Sequence, residues 1–177
     1  MQLQDNKKRI KILTVTALLF AVAVILSAAE HTLPPIYPMF PGVKLGLSNI
    51  AVMFSLFFIK KSSAFSIALL KAFFVFAIKG AVAGVLSLLG GVLSLSVMIL
   101  LLFIFKTKIS YMILSISGAI FHNIGQVVGI CIIYKGLFLW TYTPFLIVAG
   151  TVAGIATATL LRLILPLLGK MRIFTSQ

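Results

Sequence analysis

At 177 residues and 62% hydrophobic, with a mean hydropathy of +1.23, the chain is far more apolar than a soluble domain, which is about 45–50% apolar. Repeated apolar runs of membrane-spanning length place it among integral membrane proteins, as one domain over residues 1–177. The formal charge of +13 sets 15 Lys and Arg against Asp5 and Glu30 alone, but the basic residues cluster between apolar runs, which argues for membrane topology and against a nucleic-acid partner.

Lys7, Lys8, Arg9 and Lys11 lead into the first run, Ile10–Ala29. Its closing "SAA", Ser27–Ala29, is what a signal peptide would show, yet the run exceeds the usual h-region of about 7–15 residues, so an uncleaved helix is expected. Ala17 and Ala21, four apart, allow a second helix to approach closely, either within the bundle or from a docking partner. The connection "EHTLPPIYPMFPGV" then holds four of the six prolines. It is stiff and non-helical, and reads equally as a lid over a cavity or as a rigid connector.

The second run, Lys44–Ile59, opens in "PGVKLGLSNI", with Ser48 one turn after Lys44 and Asn49 beside it. A lysine at a helix N-terminus opposes the helix dipole but suits an anion. The third run, Ala64–Lys79, carries Lys71 about 10 Å deep at 1.5 Å per residue. A charge near the bilayer centre costs at least about 2.5–3.5 kcal/mol. Glu30 is the only carboxylate that could answer Lys71; snorkelling to the headgroups is the plain alternative for Lys44, Lys71 and Lys79.

The fourth run is Leu86–Phe105 and the fifth Ile109–Tyr134, which contains "SGAIFHNIGQVVG". His122 and Gln126 share a helix face with Ser115, Ala119 and Gly129, and Asn123 flanks it. A polar stripe among small residues points into a bundle. Interhelical hydrogen bonds, typically about 0.6 kcal/mol each, would explain it, as would a ligand. Cys131, the only cysteine, forms no intrachain disulfide and reads as a small packed side chain. The sixth run is Tyr142–Leu165, and the pairs Gly80/Gly84, Gly125/Gly129 and Gly150/Gly154 supply further close-packing spacings.

Lys60 and Lys61, Lys106 and Lys108, and Arg162, Lys170 and Arg172 fall on the same side as the N-terminal cluster if six runs alternate across the bilayer. That leaves Lys44, Lys79 and Lys135 opposite, so both termini are expected in the cytoplasm. Lys44, Lys71, Lys79, His122, Asn123 and Gln126 would then line one outward-facing pocket suited to a small anionic molecule. Two acids cannot supply a catalytic carboxylate pair or an aspartate-rich magnesium site. There is no phosphate-binding G-x-x-x-x-G-K-[ST] loop, and His31 and His122 have no ligand-spaced neighbours. No enzymatic activity, cofactor or metal is expected.

"PGVKLGLSNI", "GGVLSL" at Gly90–Leu95 and "FHNIGQ" at Phe121–Gln126 together resemble the bacterial Gx transporter family, whose older label is heptaprenyl diphosphate synthase component I. That family in turn resembles the substrate-binding S components of energy-coupling factor (ECF) vitamin transporters. The resemblance spans essentially the whole chain. It implies an all-α membrane protein of the bacterial cytoplasmic membrane, a six-transmembrane-helix bundle with both termini inside. It also implies an outward pocket capped by the first loop and an A-x-x-x-A docking element at Ala17 and Ala21 for a coupling subunit with paired ATPases. Lys44, Asn49, Lys71, His122, Asn123 and Gln126 would bind the substrate. Prenyl diphosphate synthases hold magnesium with aspartate clusters that this chain lacks, so the older label would fit a non-catalytic partner in prenyl or quinone metabolism, or a subunit of an electron-transfer assembly. Autonomous ion-driven transport is a third reading, opposed by the scarcity of membrane carboxylates.

Overall fold

The computed structural model describes residues 2–32, 46–134 and 143–169. Lys44, most of the proline-rich connection, Lys135, Lys170 and Arg172 lie outside the described residues. Every regular element among them is helical: α1 (Gln2–Thr32), α2 (Asn49–Phe58), α3 (Lys61–Lys79), α4 (Ala81–Phe105), α5 (Tyr111–Ile133) and α6 (Thr143–Gly169), with a short 3₁₀ turn at Lys106–Lys108. Five of these, all but α2, are long and apolar enough to cross a membrane, which makes this a multi-pass membrane protein.

The second apolar run does not become a helix along its whole length. Gly46 takes φ +75°, a left-handed conformation that suits glycine, and its carbonyl accepts from the Asn49 amide at 2.9 Å. The helix therefore begins only at Asn49. Ten residues rise about 15 Å, half of the roughly 30 Å hydrocarbon core. Ile50 through Leu56 are all buried, so α2 is apolar on every side because it is enclosed on every side. Its lower half sits in the main apolar core with Ile67, Leu95, Met98, Leu114 and Leu161, and Phe57 meets Tyr111 edge-to-face at 4.7 Å. The short helix plugs one half of the bundle, and the other half holds the buried polar residues Lys71, Ser87, His122 and Gln126 beside Val75, Leu86, Val127 and Leu146.

The long helices are arranged around it in the order α1, α3, α4, α5, α6, and α2 touches α1, α3 and α6. Helices α3 and α4 form a tight hairpin through Gly80 alone, at φ +87°. Beyond the turn, Gly84 sits so close to Phe76 that an added Cβ would fall 2.8 Å from the Phe76 Cα. The α4–α5 contact is a run of glycines. An added Cβ at Gly125 would lie 2.8 Å from both the Gly90 Cα and the Leu89 carbonyl, and one at Gly90 would lie 2.8 Å from the His122 carbonyl. Gly150 and Gly154 let α6 reach the Ile120 and Ile116 backbone in the same way.

The sequence-based boundaries hold within a few residues for the third, fifth and sixth runs. The first, read as Ile10–Ala29, extends to Gln2–Thr32, about 46 Å, so its basic residues ride on a helix and not on a tail. The fourth, read from Leu86, begins at Ala81.

Candidate functional site

Four long helices and the start of α2 converge on one cleft. It is lined by Ser27 of α1, Gly46 and Ser48 ahead of α2, Lys71 of α3, Ser87 of α4, and His122 and Gln126 of α5, and its free volume is about 10 Å³. These positions lie from mid-depth toward the end of the bundle that holds the α1 C-terminus and the α3–α4 turn. The basic residues Lys7, Lys8, Arg9, Lys11, Lys60, Lys61, Lys106, Lys108 and Arg162 lie toward the opposite end. The plug formed by α2 separates the two.

Lys71 is only 3% exposed. Its ammonium donates to the Asn49 Oδ1 at 2.8 Å and to the Ser48 Oγ at 3.2 Å, pinning the first residues of α2 to the middle of α3. Position dictates these partners. The positive-φ turn at Gly46 folds Ser48 and Asn49 inward at the depth where α3 presents its eleventh residue.

On the far wall, Gln126 is 5% exposed and its Nε2 stands 3.5 Å from the His122 Nε2. The Gln126 Oε1 is buried without a hydrogen-bond partner among the described residues. A buried polar atom left unmatched costs about 1–3 kcal/mol. The imidazole of His122 packs against Gly90, where a side chain would strike its Cε1 and Nδ1 at 2.9 Å. The absence of a side chain at Gly90 is what admits His122 to this position.

Asn123 is equally buried but serves another purpose. Its amide donates to the Leu146 carbonyl at 3.1 Å, and Ser115 donates to the Gly154 carbonyl at 2.8 Å, so both tie α5 to α6. One residue along a helix is a turn of about 100°, which takes Asn123 off the face that His122 and Gln126 share. Asn123 is not among the residues lining the cleft. Lys79, in the last turn of α3, is exposed and also lies outside the lining.

Of the remaining sequence candidates, Asn49 and Lys71 meet directly, His122 and Gln126 face the same cleft, and Lys44 lies outside the described residues. Ala17 and Ala21 are both exposed on the outer face of α1, while Ala23 and Ser27 turn inward. Cys131 is half-buried against Val127 and Leu146. Sequence reasoning missed Ser27 and Ser87 as cleft residues. A serine is common in membrane helices, and neither carries a spacing signal that sets it apart.

Residues 19–164 match a family model described as heptaprenyl diphosphate synthase component I. No curated protein and no solved structure matches the chain.

Proposed function

The chain belongs to the heptaprenyl diphosphate synthase component I family, and on that footing we propose that it is a substrate-binding membrane subunit, similar to an ECF S component, that takes up a small anion and is energised by separate coupling and ATPase subunits. The observation that carries this reading is a buried ammonium on the wall of a polar cleft, with hydroxyls, an imidazole and a carboxamide around it. In a helix bundle an ionisable group at mid-depth marks a substrate or ion path by default. With the basic end in the cytoplasm, the cleft opens outward and α2 closes it toward the inside. Both termini are then cytoplasmic.

Capture requires no chemistry from this chain, and we read it as non-catalytic. Asp5 and Glu30 cannot build the aspartate clusters that a diphosphate-metal site needs. The exposed pair Ala17 and Ala21 leaves a smooth strip on α1 where a coupling subunit could pack. Binding that favours a closed form over an open one would couple capture to release.

The test is anion binding by wild type and by Lys71→Met in lipid nanodiscs. A charge-assisted hydrogen bond contributes about 1.5–3 kcal/mol, so the variant should fold and lose affinity at least about tenfold. Equal affinity in the two proteins would remove the cleft from consideration. The family description favours a second reading, a non-catalytic membrane partner of a prenyl diphosphate synthase. Affinity purification separates them: coupling and ATPase subunits on the column support uptake, and a prenyl synthase supports partnership.

A further inference from the structure

We infer that Ser48 and Asn49 form an autoinhibitory latch on Lys71: their oxygens stand where an anion's would, and residues 46–49 must leave α3 before anything larger than water can enter. This rests on the uptake reading and deepens it by naming what holds the site shut. Three observations carry it. The first is room. The free volume of the cleft is about 10 Å³, the space of roughly one water. The core beneath gives none, because Met53, Ile67, Leu95 and Leu114 fill it almost completely. An anion of several atoms therefore needs a wall to move.

The second observation says which wall. Of the lining residues, Gly46 and Ser48 alone stand outside the long helices. Helix α3 is joined to α4 through Gly80, and α4 meets α5 backbone to backbone at Gly90 and Gly125. Residues 46–49 are instead a single turn leading into α2. The Asn49 amide donates to the Gly46 carbonyl at 2.9 Å and the Ile50 amide to the Leu47 carbonyl at 3.0 Å, so these bonds close within the stretch and travel with it. Gly46, at φ +75°, has no Cβ to oppose a change of φ and suits a hinge. Lys71 ties the stretch to α3, donating to the Asn49 Oδ1 at 2.8 Å and the Ser48 Oγ at 3.2 Å.

The third observation is that the tie is imperfect. Ser48 occupies the N-cap position of α2, where a serine oxygen ordinarily receives an amide of the first turn, yet it makes no such bond and accepts from Lys71 instead. The Asn49 Nδ2 is buried with no hydrogen-bond partner among the described residues. The closed form thus leaves a cap unmade and a donor unmatched, and both can be satisfied once the stretch swings out. Two neutral oxygens also receive an ammonium less strongly than an anionic oxygen does. An anion that reaches Lys71 displaces them, and by binding the open form it shifts the population toward that form.

The test measures opening directly. In a Cys131→Ser background in nanodiscs, Ser87→Cys places a thiol on the α4 wall of the cleft. Its reaction is timed with two methanethiosulfonates, one bearing a sulfonate and the other a trimethylammonium. Adding Asn49→Ala should speed the sulfonate reagent at least about tenfold. Asn49→Asp, which gives Lys71 a carboxylate to hold, should not speed it. Hydrogen exchange at residues 47–52 should rise with Asn49→Ala while α4 and α5 keep their protection. Equal rates with Asn49 and with Asn49→Ala would overturn the latch, as would the same acceleration by Asn49→Asp. Exchange rising throughout α4 and α5 would overturn it too, because Asn49 would then support the whole fold. If Asn49→Ala speeds the trimethylammonium reagent as much as the sulfonate, the latch stands and anion capture falls.

Discussion

An ammonium at mid-depth in a helix bundle is costly unless neighbouring oxygens receive it, and Lys71 is received by the first two polar side chains of the α2 segment. Three buried polar residues outside that arrangement can be told apart by mutation. Asn123→Leu removes the bond to the Leu146 carbonyl and should destabilise by about 0.6 kcal/mol, at most about 1.7, with anion binding unchanged. Ser55 is fully buried in the apolar core and its hydroxyl has no hydrogen-bond partner among the described residues, so Ser55→Ala should be neutral or stabilise by up to about 1 kcal/mol. Both are read from unfolding in a denaturing detergent; a larger loss in Ser55→Ala would show that the hydroxyl has a partner after all. Gln126→Met completes the set, since Gln126 lines the cleft and its loss should weaken anion binding. Lys71, His122 and Gln126 were legible in the sequence because charge and helical spacing make them conspicuous. Asn123 lies off the face that His122 and Gln126 share, because adjacency in sequence is divergence around a helix. Ser27 and Ser87 reach the cleft only through tertiary packing, and no local pattern announces that.

Helix spacing in this protein is set by missing side chains. At Gly125 a methyl group would lie 2.8 Å from the Gly90 Cα, backbone that has no rotamer to give, so Gly125→Ala should push α5 off α4. Overpacking of this kind costs about 1–3 kcal/mol, and the shift should carry His122 and Gln126 away from the cleft and weaken binding as well. Gly91, on the α3 side of the same helix, provides the control. Its added methyl would meet only the Ala68 Cβ at 3.8 Å, an ordinary contact, so Gly91→Ala should fold at wild-type stability or slightly above. If the two variants unfold alike, glycine contact is not what holds α4 against α5. The four-residue glycine spacings visible in the sequence foretold close approach but not which neighbour each glycine meets. The lengths of α3, α5 and α6 were readable from hydropathy; α1 and α4 run longer than their apolar cores, and in α2 one positive-φ glycine delays the helix by several residues.

For the molecule as a whole, the separation of a basic end from a polar cleft makes orientation testable. In a Cys131→Ser background, Lys79→Cys should react with an impermeant maleimide added to intact cells, and Lys106→Cys should react only after the membrane is opened. The reverse pattern would turn the cleft toward the cytoplasm and end the uptake reading. The hairpin at Gly80 has a consequence for how such a protein is made. Among the five long helices α3 is the least hydropathic, with Lys71 at its centre, while α4, one residue beyond it, is the most hydropathic. A segment burdened by about 2.5–3.5 kcal/mol for its lysine is a poor passenger on its own at the translocon. Tied to α4 by a single glycine, α3 would enter the lipid as half of a pair, so its lysine would cross only when the following helix has left the ribosome.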